Sequence, residues 1–434
     1  MKNLYIIFAL FVTASFWACS DDDSDSKGTP VVEYVRSCDP AEAETHLTSA
    51  LLGNKIAIIG NNLGNVNKIY FNDVPAILTP VYVTDNAIIV EVPTDLPADK
   101  QDLIWLHSSN GASCSYPFVT VVPGPTVKSM DCEYVADGDI AYINGTYLTN
   151  YETDPLKVVF TGGAEGEVVD CTLERVAVKI PTGAKPGPIT VTSAYGTTTS
   201  IFNFRDNRTE YVIMDFDNIR RPIDPLTDRW GNGWHRGEPD QNGGERIGTD
   251  GVTGQYLILK GNVNVDGDAV NVSEWDLCFD AWPFVSTAPD LFDANKLNDL
   301  ALKYEARVIG EWTGGALQVI FTSVADASYS WVDPDANHPN ENWKWDAWGA
   351  DPYPRTMWAP WADNGGSFST NGEWVTVTIP MSEYKYGMFG KVVGPKPAGH
   401  YAGMTLFVNR YHSGNGESCY LQLHIDNIRV VPNR

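Results

Sequence analysis

Basic side chains are scarce in this 434-residue chain: 30 Lys and Arg face 55 Asp and Glu, leaving 30 − 55 = −25 charges at neutral pH. A surface of that sign repels nucleic acid and anionic lipid, which are held through basic patches, and disfavours an acidic polysaccharide while leaving a neutral polymer unaffected. Cysteine is scarce as well. The seven Cys show no CxxC or Cys/His spacing of a zinc site, and the six after Cys19 are too thinly spread for a disulfide scaffold. Their even number permits 15 pairings in an exported protein, but isolated cysteines in large domains are expected to be mostly buried thiols. The apolar run LYIIFALFV at residues 4–12 is about half of what a membrane span requires. Preceded by Lys2 and followed by SFWA before Cys19, it reads as a signal peptide of residues 1–18. Tryptophan, finally, is nearly missing from residues 28–205, where Trp105 stands alone.

Within that tryptophan-poor region the chain repeats itself. GNKIAIIGNNL (residues 53–63) aligns with GDIAYINGTYL (residues 138–148), placing Gly60 over Gly145. Each copy continues into an alternating strand ending at Phe (Phe71, Phe160) and another stopped by proline (Pro93, Pro181). Short period-2 strands separated by Gly, Asn and Pro indicate β-sandwich modules of roughly 80–100 residues, with the glycines expected at tight turns. The pattern resembles the immunoglobulin-like IPT/TIG family, with modules at residues 28–123 and 124–205 joined at the stiff Pro123-Gly124-Pro125 linker.

After residue 205 the composition changes. Twelve of the 14 tryptophans lie between Trp230 and Trp374, among strand-like segments such as GQYLILKG, ALQVIFTSV, GMTLFVNRY and CYLQLHIDNIRVV. One short helical stretch is expected near NKLNDLALKYEARV. The fold class is therefore all-β: two immunoglobulin-like (IPT/TIG) sandwiches followed by a larger jelly-roll-like β-sandwich over residues 206–434.

Six tryptophans and five prolines crowd into residues 331–361, WVDPDANHPNENWKWDAWGADPYPRTMWAPW. Spacings of 12, 2, 3, 10 and 3 between the indoles match neither a strand nor a helix, so the segment reads as a long, stiffened aromatic loop. A loop of that length inside a compact domain is usually functional, and disordered segments are poor in aromatics. An exposed indole is flat, rigid and apolar, which suits the axial C–H face of a pyranose, while neighbouring polar groups bond the hydroxyls. The expected stacking set is Trp331, Trp343, Trp345, Trp358 and Trp361, with Trp348 and Trp234 in reserve; the polar partners are Asn342, Lys344, Asp346, Asn409 and Arg410. Trp275, Trp282, Trp312 and Trp374 sit in or beside alternating strands and are expected in the core.

Cys19 after Ala18 resembles the lipidation site of bacterial lipoproteins, and the following SDDDSD resembles the export signal of Bacteroidetes surface lipoproteins, so residues 19–27 form a lipidated acidic linker. The ending LHIDNIRVVP and the related DFDNIR at residues 215–220 resemble carbohydrate-binding sandwiches whose first and last strands lie side by side and share a structural calcium, for which Asp215, Asp217 and Asp426 would be ligands; no other cofactor is expected. The whole architecture resembles the surface glycan-binding lipoproteins of Bacteroidetes polysaccharide-utilisation loci. That resemblance implies a non-catalytic outer-membrane protein that holds a neutral polysaccharide or oligosaccharide, a β-glucan such as xyloglucan, mixed-linkage glucan or laminarin, beside a TonB-dependent transporter and its partner glycan-binding lipoprotein. An endo-acting glycoside hydrolase is the competing reading, since Glu238, Asp240, Glu245, Asp333, Asp335, Glu341, Asp346 and Asp351 are all acidic; a protein-binding adhesin is the other. Binding is expected to reside in residues 206–434 alone, with none in residues 28–205.

Overall fold

Backbone pairing in a computed structural model shows how these patterns are realised; it describes residues 28–42, 44–217, 247–265, 271–272, 277–281, 289–322, 354–386, 392–409 and 416–433. The chain divides into two units at Pro123/Gly124.

In the first unit, strands His46–Leu47, Val31–Ser37, Lys55–Asn61 and Ala87–Glu91 form one antiparallel sheet, in that order. Val74–Ala76, Val66–Phe71, Leu103–Ser108 and Ser113–Pro117 form another. Alternation places Ile56, Ile58, Ile69, Phe71, Val90, Ile104 and Leu106 in one core between them, which is what the period-2 pattern demanded. The second unit begins with the homologous module, whose seven strands run Thr126–Met130, Ile140–Thr146, Arg175–Lys179, Glu165–Cys171, Lys157–Thr161, Lys185–Ser193 and Gly196–Thr199 across one continuous sheet.

The aligned glycines have a role other than the turns expected of them. Gly60 pairs with Val32 and Gly145 with Val127, each at a β-bulge within the strand pair. A Cβ on either would stand 1.9 Å from the opposing carbonyl oxygen, of Val31 or of Thr126. The position thus needs glycine because two backbones approach too closely for any side chain.

The third domain is a two-sheet sandwich. One sheet runs Ile247–Gly248, Tyr256–Asn264, Cys419–Pro432, Leu300–Ile309, Val375–Pro380, with Val212–Met214 added beside Cys419–Pro432 and Asn271–Val272 beside Tyr256–Asn264. The domain's first and last strands therefore do lie side by side, Val212 against Arg429 and Met214 against Ile428. The other sheet runs Cys278–Ala281, Gly403–Asn409, Ala316–Thr322, Arg355–Trp358. Leu257, Leu302, Tyr304, Trp312, Val319, Phe321, Leu406 and Leu423 fill the space between.

The expected helical stretch is only half helical: Ala294–Asp299 is a short 3-10 helix, and Leu300–Ile309 is a central strand. Leu302, Tyr304, Ala306 and Val308 face the core, yet Lys303 and Glu305 on the opposite face are buried too. They are covered by the second module. Its Glu133 carboxylate accepts from the Lys303 ammonium and, at 2.8 Å, from Arg429 Nη2, while Arg429 also holds Glu305 bidentately at 2.8 and 3.0 Å. Thr376 Oγ1 donates to Glu305 (3.0 Å) and accepts from the Glu133 backbone N–H (2.8 Å). Charges this deeply buried are tolerated only when paired and hydrogen-bonded, and here both conditions are met across the module junction.

Candidate functional site

Residues 323–354 connect strands Ala316–Thr322 and Arg355–Trp358, which are antiparallel neighbours in the four-stranded sheet. The tryptophan-rich segment is thus an enlarged hairpin connection of that sheet. Trp331, Trp343, Trp345, Trp348, Asn342, Lys344 and Asp346 lie outside the described residues, as do Trp234 and Arg410. So do Trp275, Trp282 and the eight acidic residues that a hydrolase reading would draw on.

The end of the segment departs from the expected loop. Arg355–Trp358 is a strand and Pro360–Asp363 a single helical turn. Trp358 faces the core, edge-on to Trp312 at 5.3 Å and to Tyr304 at 5.7 Å, and remains partly exposed. Trp361 is 5% exposed and its indole N–H donates to the Gly315 carbonyl at 2.7 Å, so it is a core residue and offers no stacking face. Its rigid connection to the sheet explains why the local Trp spacing broke period: two of the six indoles serve packing, through a short strand and a turn, not through one regular element.

Because Trp358 and its partner Leu317 face inward, the pleat turns Arg355, Met357, Gln318, Ile320, Thr405 and Phe407 to the outer face. Arg355 Nη1 donates to Gln318 Oε1 at 3.1 Å, and both side chains are fully buried. Asn409 is paired with Ala316, whereas the connection leaves beyond Thr322, paired with Gly403. Six residues of strand separate those two ends, about 20 Å at the usual rise, so Asn409 and the start of the connection lie at opposite ends of the sheet.

Trp312, 0% exposed, is a core residue as expected. Trp374 is not. It is half-buried on the outer side of the larger sheet, edge-on to Tyr256 at 5.3 Å, with the Arg307 guanidinium 4.6 Å over its ring. Position beside an alternating strand could not distinguish the two faces, because this domain buries residues on both.

The three aspartates considered for calcium each accept backbone N–H groups. Asp426 Oδ2 accepts from the N–H groups of Val252 (3.0 Å) and Thr253 (3.4 Å), and its Oδ1 from Asn427 (2.7 Å). Asp217 Oδ1 accepts from Gln255 (2.7 Å), and Asp215 Oδ1 from Asp217 (3.0 Å). Among the described residues no three His, Cys, Asp or Glu side chains are gathered so as to hold a metal ion. Burial first, and the nearby Glu305 charge second, push the Asp426 carboxyl up to about 7. Of the cysteines, Cys38, Cys114, Cys132, Cys171 and Cys419 are free thiols, with Cys132 buried.

Residues 204–432 match the family described as the surface glycan-binding protein B xyloglucan binding domain. The crystal structure of a surface glycan-binding protein B from Prevotella bryantii is 25% identical and superposes with a TM-score of 0.78, covering 94% of this chain and 99% of that one. An IPT/TIG domain-containing protein of Bacteroides ovatus is 30% identical over 137 residues, 30% of this chain and 27% of its own length, so the chain spans well under two thirds of that relative.

Proposed function

Because this chain belongs to the surface glycan-binding protein B family, we propose that it captures a β-glucan at the cell surface and hands it on without cleaving it. The observation that carries this reading is that the matched segment, residues 204–432, holds 12 of the 14 tryptophans. Equatorial hydroxyls leave both faces of a glucosyl ring apolar, so successive residues of one chain can stack on several indoles. Stacking contributes about 1–3 kcal/mol per ring by analogy with nucleobases, and two or three platforms suffice for binding on the order of micromolar. Xyloglucan is the first ligand to try, since the family is named for it.

Trp331, Trp343, Trp345 and Trp348 are the stacking residues of this reading, with Asn342, Lys344 and Asp346 bonding hydroxyls. Trp→Ala at a platform weakens xyloglucan binding by about 1–3 kcal/mol and leaves the melting temperature in place. Electrophoresis through gels containing soluble polysaccharide decides the class: retardation without new reducing ends is the expected result. Reducing-end release would make the protein a hydrolase, and migration unchanged in every polysaccharide would favour an adhesin. Anchoring through a lipid on Cys19, beside a TonB-dependent transporter and a partner glycan-binding lipoprotein, completes the proposal. Cys19→Ala then releases the protein from the membrane fraction, since the lipid is the strong attachment this reading supplies.

A further inference from the structure

The second module and the third domain enclose a groove of about 890 Å³ along their junction, within the usual size range of ligand clefts. It lies against the larger sheet, not the four-stranded sheet that carries the tryptophan-rich connection. Asp139 and Tyr142 line it from the module, and Asp250, Arg307, Asn371 and Trp374 from the domain.

Each wall carries an aromatic ring held in place by protein. Tyr142 is 40% exposed and lies under the Arg175 guanidinium, 4.2 Å from its centroid. Trp374 is fixed by Tyr256 at its edge and by Arg307, whose guanidinium spans both rings at 4.6 and 5.0 Å. Arg307 is itself pinned, donating through Nε to His424 Nδ1 (3.1 Å) and pairing with Asp250 at 3.5 Å. Side chains ordered in advance cost little further entropy when a ligand arrives. The walls are ordered relative to one another as well, because the buried Glu133, Lys303, Glu305 and Arg429 network ties the module to the domain.

The chemistry selects the occupant. The Trp374 indole N–H, the Tyr142 hydroxyl and the Asn371 side-chain amide make no hydrogen bond among the described residues, so each is open to a ligand. Asp139 and Asp250 add acceptors and repel an anion. Aromatic faces with directional donors and acceptors around them fit a neutral, polyhydroxylated ring.

We propose that this junction groove is a second carbohydrate site, stacking sugar rings of a neutral glycan on Trp374 and Tyr142. The proposal rests on the reading of the chain as glycan-binding. A polymer long enough to reach both sites then binds by avidity, more tightly than either site binds a fragment.

Calorimetry on the full mature chain with xyloglucan oligosaccharides and with polymeric xyloglucan tests this. The expected result is two sites per chain for the oligosaccharides. Tyr142→Ala and Trp374→Ala should each weaken the second site about 5- to 150-fold, the equivalent of one lost stacking contact, and lower polymer affinity with it. Tyr142→Ala serves as the variant that keeps its melting temperature, since the ring is exposed. A single oligosaccharide site in the wild-type chain, or two sites unchanged in both variants, overturns the groove and leaves the primary reading standing. Failure of the wild type to bind xyloglucan, mixed-linkage glucan or laminarin, as oligosaccharide or polymer, defeats the primary reading, and the groove with it.

Discussion

Glu133→Ala removes one carboxylate from a buried set in which two cations, Lys303 and Arg429, are balanced by two anions, Glu133 and Glu305. Arg429 keeps its bidentate hold on Glu305 at 2.8 and 3.0 Å, so the loss falls on Lys303, whose ammonium sits in a side chain 8% exposed and whose carboxylate partner is Glu133. Leaving one buried charge uncompensated costs about 3–5 kcal/mol. Pairing Glu133→Leu with Lys303→Met should return most of that loss, because apolar groups of similar volume replace a buried pair at little net cost. Urea denaturation of the mature chain, followed by tryptophan fluorescence, isolates the effect: 12 of the 14 tryptophans lie in the second unit and Trp105 alone in the described part of the first. The same arithmetic revises the expectation that residues 206–434 suffice for binding, since that fragment lacks Glu133 and should be destabilised by a comparable amount, whereas residues 124–434 keep the network. A Glu133→Ala chain within about 1 kcal/mol of wild type would show that the ion network does not unite module and domain.

Gly145→Ala, with its Cβ 1.9 Å from the Thr126 carbonyl oxygen, should cost at least about 1–3 kcal/mol in the same urea assay, and an unchanged midpoint would remove the close-approach explanation. Trp361→Ala should cost about 3–5 kcal/mol of stability, as a core indole does, and any loss of glycan binding should be confined to the unfolded fraction. Two buried groups give opposite pH dependence. Asp426, raised to about 7, binds its proton more tightly when folded, so its contribution is present below the ordinary carboxylate range and is lost as pH rises towards 7. His424, lowered to about 4 by burial and then by Arg307, contributes above its ordinary value near 6.5 and loses that contribution as pH falls towards 4. Relative to wild type, stability of His424→Gln should therefore slope downward between pH 4 and 7 and that of Asp426→Asn upward; identical slopes in all three proteins would refute both assignments.

The tandem modules were legible because core residues recur at period 2, Ile56 and Ile58 in one and Ala141 and Ile143 in the other. The strand Leu300–Ile309 was harder to read, and for a physical reason. Its outward residues Lys303 and Glu305 are buried against the second module, so polarity there marks an internal ion network, not solvent. Gly60 and Gly145 were found by alignment, but their purpose depends on how close the neighbouring strand runs, which is a property of the sheet and not of the local sequence.

The site divides along the same line. Composition located the domain, because indoles are costly to leave exposed without a use, and twelve of them after residue 205 demand one. Composition cannot rank them: Trp361 belongs to the same run as Trp348, yet the strand that follows Pro354 turns the chain into the core and its N–H finds Gly315. Arg355 and Gln318 escaped notice because they are 37 residues apart and meet only through the pairing of their strands. Trp374 escaped because its partners Tyr256, Arg307 and His424 come from three separate strands, and only the larger sheet brings them together beneath the second module. A tryptophan held at its edge and on one face by protein, with its N–H left open in a groove, has the arrangement of a platform whether or not its neighbours in sequence are aromatic. That is why the decisive comparison is between Trp374 and the residues 331–348: the latter announce themselves by number, the former only by position.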